Sequence, residues 1–174
     1  GGVAGRGGGC QHWPAGGIRR CGGGRPADAV PEACRQEAGG AVLGDGGASG
    51  IGRAIAVAFA EAGAGVNILD RDADAAKTVA DEIGGFAVVA DLSDLDAIAD
   101  LDLDVDIAVN NAGVQHIAPL ESFPPERFSF IIRVMLETPF RILQGSLPTT
   151  YERGRGRTAN ASTVHGLRAS CSHD

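Results

Sequence analysis

The sequence is poor in aromatic residues and in lysine. Aromatic side chains make up 5% of its 174 residues, and tyrosine, tryptophan and lysine occur once each, as Tyr151, Trp13 and Lys77. Apolar runs are also short: none approaches the roughly 18 residues of a membrane-spanning helix, and the amino terminus lacks the apolar core of a signal peptide. We therefore expect a cytoplasmic protein that has no membrane partner.

Metal-binding cysteine patterns are absent as well. The four cysteines are widely spaced, and no Cys-x-x-Cys pair is available to begin a zinc site. We expect no metal centre. Free thiols in a reducing compartment account for these residues.

The charge distribution divides the chain near residue 40. Residues 41–174 contain ten Lys and Arg against nineteen Asp and Glu, which argues against nucleic acid as a partner. Residues 1–40 contain 13 of the 27 glycines and show no helical or strand periodicity. Such a segment buries too little apolar surface to offset its ordering entropy, so we expect a disordered Gly/Arg-rich extension. A short RNA-binding arm at 5–9 is the alternative.

From residue 41 onward, apolar runs alternate with helical patterns. Strands are predicted over 41–43, 66–69, 86–89 and 107–109, and helices over 51–62, 74–83 and, weakly, 93–99. This alternation predicts an α/β fold in one domain over 41–174. Its core is expected to be a Rossmann-type, doubly wound parallel sheet with helices on both faces.

A long helix is predicted next, over 126–147, and a weak fifth strand follows it. Pro139 is expected to bend or split the helix. Five apolar residues in the helix have the spacing of a buried face: Phe128, Ile131, Ile132, Met135 and Leu136. Residues 157–170 lie where the fifth strand belongs but are weakly hydrophobic for a central strand. We expect this strand to be poorly formed and the sheet to be incomplete at its carboxyl-terminal end.

A glycine-rich turn, residues 46–52, lies between the first predicted strand and the first helix. Glycines there permit a tight turn and a close approach of the backbone to a diphosphate, and the helix amino terminus supplies N–H donors. The residues expected to contact a dinucleotide are Gly46, Ser49, Gly50, Ile51 and Gly52.

Asp70 ends the second predicted strand, 18 residues after Gly52. A carboxylate at this place accepts hydrogen bonds from the adenosine ribose hydroxyls and repels a 2′-phosphate, which predicts NAD as the cofactor. An ordinary strand-end aspartate is the alternative reading, and the adjacent Arg71 leaves room for NADP.

Three motifs in this order resemble the short-chain dehydrogenase/reductase family over about residues 41–172. They are Gly46-x-x-x-Gly50-Ile51-Gly52, Asp91-Leu92 after the third strand, and Asn110-Asn111-Ala112-Gly113 after the fourth. The resemblance implies that Asp91 and Leu92 bind near the adenine. It also implies that Asn110, Ala112 and Gly113 brace the central strand and the cofactor. A small-molecule alcohol is then the implied substrate, and intact members of the family form homo-oligomers.

Three further segments, 113–120, 123–128 and 165–170, resemble the D-3-hydroxybutyrate dehydrogenase group of this family. Those enzymes oxidise 3-hydroxybutyrate to acetoacetate with NAD. The resemblance implies that Gln115 and His165 help to bind the substrate carboxylate. A surface-loop glutamine and a strand-end histidine are the alternatives.

The catalytic residues of the family are matched only in part. Its mechanism needs a tyrosine, a lysine four residues later, and a serine or threonine that holds the substrate oxygen. Thr163 falls at the serine position, with Ser162 in the alternative register, and the tyrosine is then expected near position 176. Tyr151-x-x-x-Arg155 imitates the tyrosine motif, but it precedes the fifth strand, in a predicted loop, and arginine is too basic to replace lysine simply.

Other departures point to a partial copy of the family. Met135 stands where the family has a helix asparagine, and Asp45 replaces the threonine that usually opens the glycine motif. We expect the chain to be inactive alone and to expose apolar surface. We do not expect it to form the homo-oligomers of intact family members. The alternatives are a non-catalytic dinucleotide-binding module and a family enzyme that acts on another small alcohol or ketone.

Overall fold

Strands and helices alternate along the chain as its periodicity predicts. The computed structural model describes residues 40–162; the predicted amino-terminal extension therefore lies outside the described residues, apart from residue 40. The strands are β1 (Ala41–Asp45), β2 (Gly65–Asp70), β3 (Phe86–Val89), β4 (Ile107–Asn110) and β5 (Arg157–Asn160). The helices are α1 (Gly50–Glu61), α2 (Ala73–Ile83), α3 (Leu95–Ala99), α4 (Pro125–Ile132) and α5 (Thr138–Arg153). Within residues 40–162, no helix has both the length and the apolar character to cross a bilayer.

The five strands form one parallel sheet in the order β3-β2-β1-β4-β5. The chain moves outward from β1 to β3 and then crosses back to pair β4 with the other side of β1. This reversal leaves a crevice at the carboxyl ends of β1 and β4, which is where ligands bind in open α/β sheets. The predicted Rossmann-type fold is confirmed.

Alternate residues of the central strands face opposite sides of the sheet, so the core has two halves. Val42 and Ile68 face α1 and α2, whereas Leu43 and Leu69 face α3 and α5. Residues that complete the two halves are Ala56, Val79 and Ala80 on one side and Ile98, Ala108 and Ile142 on the other. Helices therefore cover both faces, as a parallel sheet requires.

The long helix is interrupted just before Pro139, as predicted. A π-helical turn, Arg133–Glu137, separates α4 from α5, and the Thr138 N–H reaches back to the Arg133 carbonyl. Proline has no N–H to continue the α-helical ladder, which places the irregularity here. The helix continues further than expected: α5 ends at Arg153, and Gly154 follows with φ 65°. The predicted loop position of Tyr151 is therefore wrong, because this residue lies in the last turn of α5.

The predicted buried face of this helix is partly wrong. Phe128, Met135 and Leu136 are 58%, 47% and 62% exposed, while Val134 is buried. Phe128 lies before the π-helical turn and Met135 and Leu136 lie within it. The predicted members Ile131 and Ile132 are partly buried. Phe128, Met135 and Leu136 therefore form exposed apolar surface on the long helix.

The expectation of a poorly formed fifth strand is wrong. β5 pairs in parallel with all four residues of β4, from Ile107 opposite Arg157 to Asn110 opposite Asn160. Backbone hydrogen bonds form this pairing, and they do not depend on apolar side chains. The weak hydrophobicity is explained by exposure, since all four β5 side chains face solvent in the described part of the chain.

A buried carboxylate ties the end of α5 to the sheet. Asp106 accepts a hydrogen bond from the Ala41 N–H at 2.8 Å through Oδ2. Its Oδ1 lies 3.2 Å from Arg153 Nε and 3.7 Å from Arg155 Nε. The side chain of Asp106 is 0% exposed, so these guanidinium groups compensate a charge that is expensive to bury alone.

Candidate functional site

A cleft of about 410 Å³ opens at the carboxyl ends of the strands, at the crevice between β1 and β4. Nine of the residues predicted to bind a cofactor line it: Gly46, Ser49, Gly50, Ile51, Asp70, Asp91, Leu92, Ala112 and Gly113. They come from four separate segments of the sequence. The fold therefore brings the predicted motifs together, and their roles in binding stay predictions.

The glycine turn is packed too tightly for side chains at three positions. A Cβ at Gly52 would lie 2.2 Å from the Gly46 carbonyl oxygen, and one at Gly47 would lie 2.9 Å from the Gly44 carbonyl oxygen. A Cβ at Gly46 would lie 3.2 Å from Ala112 Cα. Gly50 differs, because a Cβ there would meet nothing within 4 Å, although its φ of +51° favours glycine. The turn thus holds β1, α1 and the segment after β4 in contact. It leaves the amino terminus of α1 open to the cleft.

Asp70 is fixed at the edge of the glycine turn. Its Oδ2 accepts a hydrogen bond from the Ala48 N–H at 3.2 Å, and its Oδ1 accepts one from the Asp72 N–H at 3.2 Å. Arg71 lines the same cleft beside it. The carboxylate is therefore preorganised next to the turn where a diphosphate would lie.

Asp91 extends the acidic edge of the cleft. Hydrogen bonds from the Ser93 N–H and the Ser93 hydroxyl, each 2.8 Å to Oδ1, are the main reason that the pKa of Asp91 is lowered, and Arg71 contributes less. Asp91 is thus held as a carboxylate that can accept further hydrogen bonds through Oδ2.

Asp45 is a buried carboxylate at the base of the cleft, and the sequence interpretation gave it no role. Its Oδ1 accepts hydrogen bonds from the Asn111 N–H and, at 2.7 Å, from the Ala112 N–H. Burial raises the pKa of Asp45; the two backbone donors oppose this rise, and nearby Asp70 adds to it. An ionisable residue at the end of a buried strand, in place of threonine, is the sequence signal that points to this site.

Several predicted residues lie away from the cleft lining. Gly52 packs beneath the turn, and Asn110 is buried, donating from Nδ2 to Asn160 Oδ1 at 2.8 Å. Gln115 and Ser162 are exposed, in the segments after β4 and β5. Thr163 and His165 lie outside the described residues.

Six lining residues were not among the predicted cofactor contacts: Arg71, Ala90, Asn111, Val114, Phe130 and Val134. Phe130 and Val134 are four residues apart and so project from one side of the long helix. That spacing was available in the sequence. The sequence did not show which side of the helix faces the cleft, because the π-helical turn interrupts the regular helical repeat.

Tyr151 and Arg155 line a different cleft, of about 390 Å³, at the opposite edge of the sheet. This cleft is bordered by the amino-terminal ends of β4 and β5 and by the last turns of α5. The only lysine, Lys77, is exposed on α2. Neither the tyrosine nor the lysine of this sequence therefore reaches the cleft at the carboxyl ends of the strands.

Comparisons with known proteins agree with the fold. The family profile for short chain dehydrogenases matches residues 41–172. Two D-beta-hydroxybutyrate dehydrogenases, from Rhizobium meliloti and Cupriavidus necator, are each 39% identical to this chain. The matches cover 72% of this chain, and 54% and 53% of the two enzymes, respectively.

A solved structure is similar at the level of the backbone as well. The crystal structure of a candidate NAD(P)-dependent gluconate 5-dehydrogenase from Beutenbergia cavernae, with NADP bound at low occupancy, has a TM-score of 0.70 and 35% identity. The match covers 74% of this chain and 56% of that one, so the chain spans about half the length of its relatives. The chain belongs to the short-chain dehydrogenase family, whose members are oxidoreductases that act on alcohol groups.

Proposed function

We propose that this chain is the NAD-binding part of a dehydrogenase that oxidises 3-hydroxybutyrate to acetoacetate. The observation that carries the proposal is the cleft, in which four separate motifs meet at the switch point of a parallel sheet. The bound nicotinamide would supply the hydride chemistry. The residues of the chain bind and orient the dinucleotide.

Each part of the cleft suits a different part of a dinucleotide. Backbone N–H groups at the start of α1, around Ser49 and Gly50, would donate to the diphosphate, where the helix dipole favours negative charge. Asp70 would accept hydrogen bonds from the adenosine ribose hydroxyls, and Asp91 with Leu92 would border the adenine. The open space at Gly50 supports this assignment, since a side chain there would stand in the path of the diphosphate.

Asp70 supports NAD over NADP. Its carboxylate is held by two backbone donors, so it cannot easily turn away from a ribose 2′-phosphate. The Asp70 carboxylate would repel the negative charge of a 2′-phosphate bound beside it. Arg71 compensates this repulsion only in part, because it is exposed to solvent and its charge is screened by salt.

Binding rather than turnover is the activity proposed for the chain alone. Tyr151 lies at the other edge of the sheet, and Ser162 follows β5 at the carboxyl edge without a tyrosine beside it in the described residues. The catalytic role of Ser162 or Thr163, and the substrate contacts of Gln115 and His165, belong to this proposal through the resemblance to 3-hydroxybutyrate dehydrogenases.

The test is a titration of the chain with NADH and, separately, with NADPH, followed by nicotinamide fluorescence. We expect saturable binding that prefers NADH on the order of tenfold, which corresponds to about 1.4 kcal/mol. The Asp70→Ala variant should lose this preference, while Asp81→Ala, an exposed acid on α2, should keep it. Absence of binding to either nucleotide by a folded chain would overturn the proposal.

A second candidate is a family enzyme for another small alcohol or ketone, which the similarity to the gluconate 5-dehydrogenase candidate favours. Adding acetoacetate to the NADH complex should tighten NADH binding if 3-hydroxybutyrate is the substrate class. A 5-keto sugar acid that does so instead would support the second candidate. Turnover of 3-hydroxybutyrate by the 174-residue chain would eliminate a purely non-catalytic module.

A further inference from the structure

Asp45 joins two of the segments that form the cleft. It ends β1 immediately before Gly46, and its Oδ1 holds the Asn111 and Ala112 N–H groups of the turn after β4. In return, the Asn111 side-chain amide donates to the Asp45 carbonyl at 3.2 Å. The residue is 2% exposed, so it lies beneath the cleft rather than on its rim.

The two oxygens of this carboxyl group have different surroundings. Oδ1 accepts both backbone donors, while Oδ2 makes no hydrogen bond to any residue in 40–162. A proton on Oδ2 would therefore leave both hydrogen bonds of Oδ1 in place. The group can change charge without releasing the turn.

A negative charge lies near Asp45. Asp70, at the end of β2, is the charged neighbour that contributes to its raised pKa. Arg71, directly after β2, and Asp91, two residues after β3, line the cleft with Asp70. Residues 46–52 and 111–114 carry no ionisable side chain. The one arginine in the first turn of α1, Arg53, has its guanidinium 2.6 Å from the Glu82 carboxylate. The diphosphate of a bound dinucleotide would add two negative charges to this cleft.

Adding anions beside a buried carboxylate makes its ionised form less favourable, and taking up a proton relieves that cost. We propose that Asp45 takes up a proton when the dinucleotide binds, so that the affinity for NADH falls as the pH rises. The inference rests on the proposed dinucleotide binding. It makes Asp45 a positioning residue whose charge reports the presence of the cofactor.

The direction of the effect follows from linkage. A ligand that binds more tightly to the protonated protein has its full affinity below the pKa of Asp45 in the free protein. The affinity decreases as the pH rises, and it levels off above the pKa in the complex. If binding raises that pKa by about one unit, the total decrease is about tenfold.

The experiment is isothermal titration of the full chain with NADH at a series of pH values that starts just above the ordinary pKa of an aspartate, about 3.9, and is repeated in buffers of different ionisation enthalpy. Comparing buffers gives the number of protons taken up per NADH bound. For a rise of about one unit in the pKa, we expect wild-type uptake to peak at about half a proton in the middle of the pH window. An affinity that falls by about tenfold across the window should accompany it.

Three variants separate the role of Asp45 from a general effect of charge. Asp45→Asn should bind NADH with an affinity independent of pH and without proton uptake. Asp45→Thr, which keeps one acceptor for the turn, provides the same test if the asparagine variant does not fold. Asp81→Asn changes the formal charge equally at an exposed site, and it should retain the wild-type pH dependence.

Each outcome gives a decision. NADH binding without proton uptake in the wild type would overturn the inference and leave the proposed function standing. Proton uptake that persists in Asp45→Asn or Asp45→Thr would assign the proton to another group and overturn it as well. No NADH binding at any pH, with a folded circular dichroism spectrum, would end both proposals.

Discussion

Replacing Gly52 by alanine gives two opposite expectations, and the structure decides between them. On helix propensity alone, Gly52→Ala should stabilise α1 by up to about 1 kcal/mol. The added Cβ, however, would lie 2.2 Å from the Gly46 carbonyl oxygen, 2.8 Å from the Gly46 carbonyl carbon and 2.7 Å from Asn111 Nδ2. Two of these three atoms, including the nearest, belong to the backbone and cannot rotate away as a long side chain does.

The steric cost exceeds the propensity gain. Overpacking of a tight site costs about 1–3 kcal/mol, so the net expectation for Gly52→Ala is a destabilisation of about 1–2 kcal/mol. For a chain of this size, each kcal/mol lowers Tm by about 2–4 °C. Because α1 must also move away from the glycine turn, the affinity for NADH should fall together with the stability of the protein.

Urea unfolding and NADH titration of Gly52→Ala measure both effects. Gly44→Ala is the matched control, because a Cβ at Gly44 would meet nothing within 4 Å and its φ is not positive. That variant should unfold at or above the wild-type urea concentration. A Gly52→Ala protein that is as stable as the wild type and binds NADH equally well would refute this account of the turn.

Three other predictions concern charged residues. Because burial raises the pKa of Asp45 above 3.8, the folded protein binds more protons than the unfolded chain just above that pH, and wild-type stability falls as the pH rises through this window. The urea midpoint of Asp45→Asn should therefore rise relative to that of the wild type as the pH increases. A difference between the two midpoints that stays constant with pH would contradict this. Arg153→Met should cost on the order of 3 kcal/mol in urea unfolding, since Asp106 loses a guanidinium partner while buried; Arg133→Met, at an exposed pair, should cost under about 1 kcal/mol. Asp70→Asn should improve NADPH binding more than NADH binding in fluorescence titrations.

The fold could be predicted from the sequence because its signals are local. Each buried strand is a short apolar run, and each flanking helix repeats its apolar residues with a period near 3.6. α1 illustrates this, since its apolar face and the glycine at 63 fix both its extent and its end. The parallel sheet then follows from alternation, for which few topologies are available.

The failures have a common physical origin in tertiary structure. The strand β5 forms through backbone pairing with β4, and its own residues carry little sign of that partner. Likewise, Met135 and Leu136 are exposed and lie in a π-helical turn, which no apolar pattern encodes. Local patterns cannot specify contacts that are made by another segment.

The residues of the candidate site also include some that the sequence could suggest and some that it could not. Asp70 and the glycine turn could be proposed as cofactor contacts from the sequence, because that chemistry needs those residue types at those positions. The role of Asp45 was missed, because it depends on two N–H groups more than sixty residues away in sequence, at Asn111 and Ala112. Only the folded chain brings that carboxylate and those donors together.

The most direct test of the central claim, that the cleft at the carboxyl ends of the strands binds a dinucleotide, is amide chemical-shift mapping of the labelled chain during an NADH titration. The account predicts that the largest changes fall on residues 46–52, on Asp70, and on Asp91 and Ala112. Changes that cluster instead around Tyr151 and Arg155, at the other edge of the sheet, would contradict it. So would a folded chain whose amide shifts do not move.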